Sequence, residues 1–284
     1  MKSDWPKISI VTPVFNARPF IEAAIKSVQN QNYPNLEYII IDGGSTDGTV
    51  EIIKKYAKYL TYWVSEADKG QTEALNKGFK RATGVLYGWL NADEEYLPGV
   101  LKCVAKIYMA SADLELIYGD RYIEDLTVCP PRKYLQTIPF NINPFSYMFY
   151  TGRTLFSDAT FWTKKIHDQL IGLDERFQPY EMDVEWLLRV TGVVKKWKHI
   201  GQPISIFKVH GSNVSAGASK KGIRLNEIIR REYASNNKIS IIKLFFGWLY
   251  YSAQLRLWEK GIFGLLKLPK WDTIAYLFFN RNRK

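Results

Sequence analysis

Cysteine is scarce, with only Cys103 and Cys129 among 284 residues. That excludes a disulfide-built scaffold, and neither thiol has the spacing of a zinc site. Both read as free thiols in a reducing compartment. No run reaches the roughly 18 apolar residues of a membrane span. The nearest approach, residues 239–258, is interrupted by Lys243 and Arg256. The first fifteen residues lack the apolar core and small-residue cleavage site of a signal peptide and read as the approach to a first strand. Neither GxxxxGK[ST] nor a GxGxxG after the first strand is present, so kinase-type and dinucleotide-type phosphate cradles are disfavoured. There is no internal repeat and no low-complexity tract.

The composition is that of a globular protein, 46% hydrophobic and 24% charged. Lys and Arg outnumber Asp and Glu by 39 to 28, leaving a net charge of +11 and pointing to an anionic partner. The excess is concentrated at the end of the chain. Residues 235–284 hold nine Lys and Arg against two Asp and Glu, a net +7, together with eleven of the 42 aromatics. Basic and aromatic residues at helical spacing suit a helix lying in an anionic bilayer surface. A helix packed on the rest of the chain, or a homodimer contact, is the alternative. No nucleic-acid module accompanies the charge, so nucleic acid is not expected as a partner.

The first half alternates between two periods. Residues 7–15, 36–41, 60–65 and 85–90 are short, apolar and β-branched, as buried strands require. Residues 18–31, 49–59, 72–82 and 98–109 carry helical spacing, with Pro98 in the first turn of the last helix. Such alternation predicts βαβ units and a mostly parallel central sheet covered by helices, a Rossmann-like α/β half whose ligands lie at the carboxyl ends of the strands. Beyond residue 110 the expected pieces are short strands at 114–118, 121–124 and 129–134 and a loop over 136–154. A helix at 183–191 and strands at 195–199 and 204–208 follow. Residues 211–222 read as a small-residue linker, and a helical tail follows. This divides the chain into 1–110, 111–215 and a tail, 216–284.

Polar residues cluster where the strands end. Asp42 is the first polar residue after a buried run, and Gly43 and Gly44 permit close approach of a ligand. Asp47 is placed to cap the next helix. Glu66 and Asp68 follow the third strand, and Asn76 lies late in the helix after it. The fourth strand ends in LNADEE, where Asp93 offers a hard oxygen ligand for Mg²⁺ or Mn²⁺. Any one of these could be an ordinary turn or cap. Three in succession are more specific.

SIVTPVFNA, DGGSTDGT, SEADKGQTEALNKG and LNADE together resemble the family 2 glycosyltransferases of GT-A fold, densely over residues 7–98 and thinly to about 210. The resemblance implies a nucleotide-sugar donor, with a UDP-sugar expected first, a divalent metal and inversion at the anomeric carbon. It places Pro13, Phe15, Asn16, Asp42, Gly43, Asp68 and Asn76 around the donor. Asn91, Ala92 and Asp93 stand where the family has its DxD metal motif. Two departures are visible: Gly43 where many members have a second acid, and Asn91 in place of the first acid of DxD. FQPYEMDVEWLLR matches the family's setting for a general base, with Asp183 first and Glu181 second. Asp183 could also simply cap a helix beginning at Val184. His210 matches a histidine that can ligate the metal or touch the diphosphate, whereas His167 and His199 read as surface or strand residues. The expected activity is transfer of a sugar to a lipid-linked or polysaccharide hydroxyl, on the inner face of the cell membrane. A sugar nucleotidyltransferase and a non-catalytic sugar-nucleotide-binding membrane protein are the alternatives.

Overall fold

The computed structural model describes residues 4–111, 113–137, 155–179, 181–213, 228–229, 231–233 and 235. Strands β1 (Ile8–Val14), β2 (Leu36–Asp42), β3 (Tyr62–Ser65) and β4 (Leu86–Trp89) run parallel in the order β3-β2-β1-β4. They alternate with helices α1 (Ile21–Gln29), α2 (Thr49–Tyr56) and α3 (Gln71–Arg81). β1 and β2 are almost wholly buried because both faces are covered. Ile8, Ile10, Tyr38 and Ile40 enter one apolar cluster with α1, and Val11, Ile39 and Ile41 enter a second with α3. A side-chain carbon on Gly78 of α3 would lie 2.3 Å from Val11 Cγ1, so glycine there lets the helix settle onto β1. The strand order turns at β1, and this opens a crevice at the carboxyl ends.

The second half extends the same sheet and makes it mixed. Antiparallel β8 (Thr160–Thr163) joins β4 to β6 (Leu116–Asp125), which pairs in parallel with β9 (Trp197–Val209). β5 (Glu94–Tyr96) closes the far edge against β9, and β7 (Arg132–Gln136) pairs with β6. Helices α4 (Val100–Ala110), α5 (Lys164–Leu170) and α6 (Met182–Val193) complete the described elements.

Several boundaries differ from the sequence reading. The pieces expected at 114–118 and 121–124 are one strand, β6. The apparent break is Gly119, where the register shifts and a side-chain carbon would meet Gln202 O at 3.0 Å. The two late strands likewise fuse into β9, through a left-handed Gly201. Pro98 precedes α4 instead of entering it, because Gly99 at φ 80° forms the helix boundary. β5, β8 and α5 were not anticipated; β5 and β8, at three and four residues, are too short to display a period. Most of the loop expected at 136–154 lies outside the described residues, as do most of the linker and nearly all of the tail. Of that tail, Ile229 is 3% exposed and belongs to the second core cluster with Leu187, Leu188 and Val190. Among the described residues no helix is long and apolar enough to cross a membrane.

Candidate active site

At the end of β2 the Asp42 carboxylate is fully buried. Oδ2 accepts from Gly44 N at 3.1 Å, Ser45 N at 2.9 Å and Ser65 Oγ at 2.6 Å, and Oδ1 accepts from Ser45 Oγ at 2.5 Å. Asp42 therefore ties the ends of β2 and β3 together and shapes the floor of the crevice. Contact with a base or ribose, as expected from the sequence, would require Ser45 or Ser65 to turn away. Asn16, in the left-handed region at φ 46°, links β1 to this loop. Its N–H donates to Ser45 Oγ at 2.7 Å and its Oδ1 accepts from Thr46 N at 3.0 Å. Pro13 is buried in β1, beyond the last residue that pairs with β4. Phe15 stands 65% exposed beside it, an open aromatic face at the crevice.

Asp47 receives Thr49 N at 3.0 Å and Arg18 N at 3.1 Å, but it stands one residue ahead of the cap position, which the left-handed Gly48 occupies, so it braces the start of α2 without being its cap residue. Asp68 accepts from Gly70 N at 2.8 Å. Burial raises its carboxyl above the usual range, with Glu73 and Asp42 adding to the effect. A side-chain carbon on Gly43 would stand 2.9 Å from Asp68 Oδ2, so Asp68 fills the space a larger residue at 43 would need. Asn76 is engaged elsewhere. Its Nδ2 donates to Leu173 O at 3.0 Å and its Oδ1 accepts from Leu173 N at 2.8 Å, so it joins α3 to the second half and does not face the strand ends.

The LNADE segment delivers a pair. Asp93 Oδ2 lies 3.0 Å from His210 Nε2, across 117 residues of sequence. Asn213 Nδ2 is 3.1 Å from the same oxygen, while Asn213 Oδ1 accepts from His210 N at 2.7 Å. The His210 ring stacks on Phe20 at 4.1 Å, and its Nδ1 lies 2.7 Å from Ser212 Oγ. Neighbouring ligands of an octahedral ion at about 2.1 Å stand about 3.0 Å apart. The Asp93–His210 separation fits that edge. Among the described residues no group of three His, Cys, Asp or Glu side chains is arranged to hold a metal ion. Two protein ligands would leave the remaining positions to water and phosphate oxygens, as is usual for Mg²⁺.

Asn91 and Ala92 do not face outward with Asp93. Ala92 is buried. Asn91 Oδ1 accepts from Trp89 Nε1 and Gln71 Nε2, both at 2.6 Å. Its backbone N–H and Nδ2 both donate to Glu94, at 2.7 and 3.0 Å. Glu94 is 1% exposed, and burial beside Asp158 and Asp93 pushes its carboxyl well above the usual range.

Asp183 lies in the first turn of α6, which begins at Met182 with Glu181 as the boundary residue. It is thus inside the helix, two positions past the cap, instead of at the cap as the sequence suggested. Its Oδ1 accepts from Val184 N at 2.9 Å. The side chain keeps a partly open face but is deeply surrounded, and desolvation raises its carboxyl. The hydrogen bond to Val184 and the Arg121 charge oppose that shift, and Asp158 adds to it. An acceptor-side carboxylate with a raised pKa is a better base than an exposed one.

Sequence reasoning missed Glu94, Asn213, Arg121 and Asp158. Asn213 stood in the VHGSN segment beside a named histidine. The others carry no local signature, since their roles come from burial. His199 pairs with Asp120 at 3.0 Å, and His167 lies among aromatic rings.

The profile described as Glycosyl transferase family 2 matches residues 9–165. The "Putative teichuronic acid biosynthesis glycosyltransferase TuaG" of Bacillus subtilis is 37% identical over 100 residues, 33% of this chain and 39% of that protein. The "GalNAc(5)-diNAcBac-PP-undecaprenol beta-1,3-glucosyltransferase" of Campylobacter jejuni is 32% identical over 123 residues, 42% of this chain and 39% of that protein. The match thus spans well under half the length of these relatives. Among solved structures, S. aureus TarS 1-349 in complex with UDP-GlcNAc superposes with a TM-score of 0.62 at 14% identity, covering 86% of this chain and 79% of that one. Mannosyltransferase PcManGT from Pyrobaculum calidifontis, in complex with GDP-Man and Mn²⁺, gives 0.61 at 16%, covering 93% and 76%. These likenesses establish the GT-A fold. With the profile covering more than half of its length, the chain belongs to glycosyl transferase family 2.

Proposed function

We propose that this protein is a metal-dependent, inverting glycosyltransferase that moves a sugar from a nucleotide-sugar donor to an acceptor hydroxyl. The observation that carries the reading is the Asp93–His210 pair at the donor strand ends, with the raised carboxyl of Asp183 on the acceptor side. Phe15, Asn16, Gly43 and Asp68 border the donor site, over the floor built by Asp42. Asp93 and His210 would hold Mn²⁺ or Mg²⁺, which supplies positive charge against the departing nucleoside diphosphate. Asp183 takes the proton of the acceptor hydroxyl as its oxygen forms the new bond to the anomeric carbon. Attack from the face opposite the leaving group gives inversion. Glu181, one residue ahead of α6, is the second candidate for the base.

A UDP-sugar is the first donor to test, in keeping with the UDP-GlcNAc complex of TarS. The undecaprenol-linked acceptor in the C. jejuni relative's name supports a lipid-linked or surface-glycan acceptor. The basic, aromatic segment 216–284 would hold the enzyme at an anionic inner membrane face. Thermal shift against UDP, GDP and their sugar conjugates, with and without Mn²⁺, tests the donor reading. A ligand at 100 times its Kd stabilises by about 2.7 kcal/mol. No stabilisation by any nucleotide would overturn it.

A further inference from the structure

The Asp93–His210 pair is braced from two further segments. β9 ends at Val209, and the chain turns through a left-handed Gly211 at φ 79°, which brings Ser212 and Asn213 back beside His210. Asn213 is fully used there. Its Oδ1 accepts from His210 N at 2.7 Å, and its Nδ2 donates to Lys208 O at 2.8 Å and to Asp93 Oδ2 at 3.1 Å. With both N–H bonds spent, the amide has none left for His210 Nε2, 3.1 Å away. The Asp93 carboxylate only accepts. In the neutral imidazole Nε2 therefore carries the proton toward Asp93 at 3.0 Å, and Nδ1 accepts from the Ser212 hydroxyl at 2.7 Å. Phe20 fixes the ring plane from the turn between β1 and α1. It is the boundary residue of α1, its N–H donates to Ala17 O at 2.9 Å, and its ring lies 4.1 Å from that of His210 at 26°.

A ligand nitrogen must offer a lone pair, and Nε2 can do so only with the ring proton on Nδ1. Ser212 permits that exchange without moving its oxygen. The hydroxyl donates to a bare Nδ1 and, once turned, accepts from a protonated one. One proton leaves Nε2 for water and one reaches Nδ1 from water, so the charge of the ring is unchanged. We propose that Ser212 and Phe20 are positioning residues for His210: Ser212 supports either tautomer and so frees Nε2 for a divalent cation, and Phe20 keeps Nε2 on the Asp93 edge while the proton moves. Both act through the ring, neither as a ligand. The inference rests on the reading of Asp93 and His210 as the metal pair.

The test needs no turnover and uses the full chain with UDP. The chain has three histidines, so comparison with His210→Gln identifies the His210 ring in imidazole nitrogen NMR spectra. The metal-free ring should be the Nε2–H form, and Mg²⁺ should convert it to the Nδ1–H form. Mn²⁺ affinity, read by electron paramagnetic resonance, should fall about 10–100-fold in Ser212→Ala and in Phe20→Ala, the usual effect of losing a partner that orients a metal ligand. Ser212→Thr keeps the hydroxyl and Phe20→Tyr keeps the ring face, so each should recover most of the affinity. If Phe20→Ala does not fold, the two Ser212 variants decide alone. Wild-type Mn²⁺ affinity in Ser212→Ala, or a metal-free ring already in the Nδ1–H form, overturns the proposal. His210→Gln separates the two readings. Unchanged Mn²⁺ affinity in that variant removes His210 from the metal pair itself. A loss there, with none in Ser212→Ala, removes only the positioning role.

Discussion

Both oxygens of the buried Glu94 carboxyl are held by Asn91, one by its backbone N–H at 2.7 Å and the other by Nδ2 at 3.0 Å. The amide at position 91 thus has a structural role, donating twice to one carboxyl, that a carboxylate could not fill. An acid at 91 would set two carboxyl groups against each other in a site without solvent. Asn91→Asp, which restores the family's DxD, is expected to lower stability by about 1–3 kcal/mol, the cost of an unmade buried hydrogen bond. Thermal unfolding checks this, and transfer should not improve. A more stable or faster variant would show that Glu94 does not select the amide.

Asp93→Ala should abolish the Mn²⁺-dependent part of nucleoside diphosphate binding. Asn213→Ala should weaken it by about 10–100-fold, the usual effect of losing a group that orients metal ligands. Titration calorimetry with UDP, with and without Mn²⁺, reads both. Equal UDP affinity in chelator and in Mn²⁺ for the wild type would remove the metal from the mechanism.

Asp183→Asn keeps the bond from Val184 N but cannot take a proton. Turnover should fall by about 10²–10⁴-fold, the range typical of a general base, with donor affinity nearly intact. Single-turnover rates together with donor binding give the separation. Normal rates here and a collapse in Glu181→Gln would move the base to Glu181.

His167 on α5 sits among Phe79 at 4.9 Å, Tyr87 at 5.2 Å and Trp186 at 5.3 Å. Burial lowers its pKa from 6.5 to about 4. The unfolded chain therefore binds a proton that the folded chain refuses between those values. The contribution to stability is fully present above pH 6.5 and is lost as pH falls toward 4. Unfolding free energies from urea titrations at neutral pH and near pH 4.5 should differ by about 2 kcal/mol more in the wild type than in His167→Phe. Equal pH dependence in both proteins would place the imidazole in water.

The described part of the tail separates two effects. A chain ending at residue 235 keeps Ile229 and Tyr233 against α6 and should stay folded. It should lose sedimentation with anionic vesicles, to which each Lys or Arg near the surface contributes about 1 kcal/mol. A chain ending at residue 213 should also lose about 1.5–3 kcal/mol of stability with the burial of Ile229. Vesicle binding that survives the first cut, or is absent in the full chain, would discard the membrane role.

The first half was legible because its helices are long enough to display a period and β1, β2 and β4 are continuous, almost wholly buried apolar runs. β1 to β4 and the helices between them lie within a few residues of where the spacing put them. The second half was harder to read for local reasons. Gly119 and Gly201 interrupt continuous strands, while β5 and β8 span only three and four residues. The site divided in the same way. Asp93 and His210 came together, though 117 residues apart. Asp42 and Asn76 are engaged in hydrogen bonds within the fold, which sequence did not foretell, because it gives a residue's place at a strand end or on a helix but not what closes over it. Glu94, Arg121 and Asp158 draw their meaning from enclosure, which only packing supplies.

The bond pair between Asn76 and Leu173 reaches only main-chain atoms of the second half, while the Leu173 side chain is buried in one core cluster with Leu75 and Phe79, and a carbon added at Gly172 would stand 2.9 Å from Asn76 Oδ1. The joint between the halves therefore combines a main-chain clamp, indifferent to side chains, with apolar packing of Phe177, Met182 and Trp186 and a Thr72–Met182 contact that are not. Residues beyond 173 can change and still dock in the same register on α3 so long as Phe177, Met182 and Trp186 keep their apolar bulk.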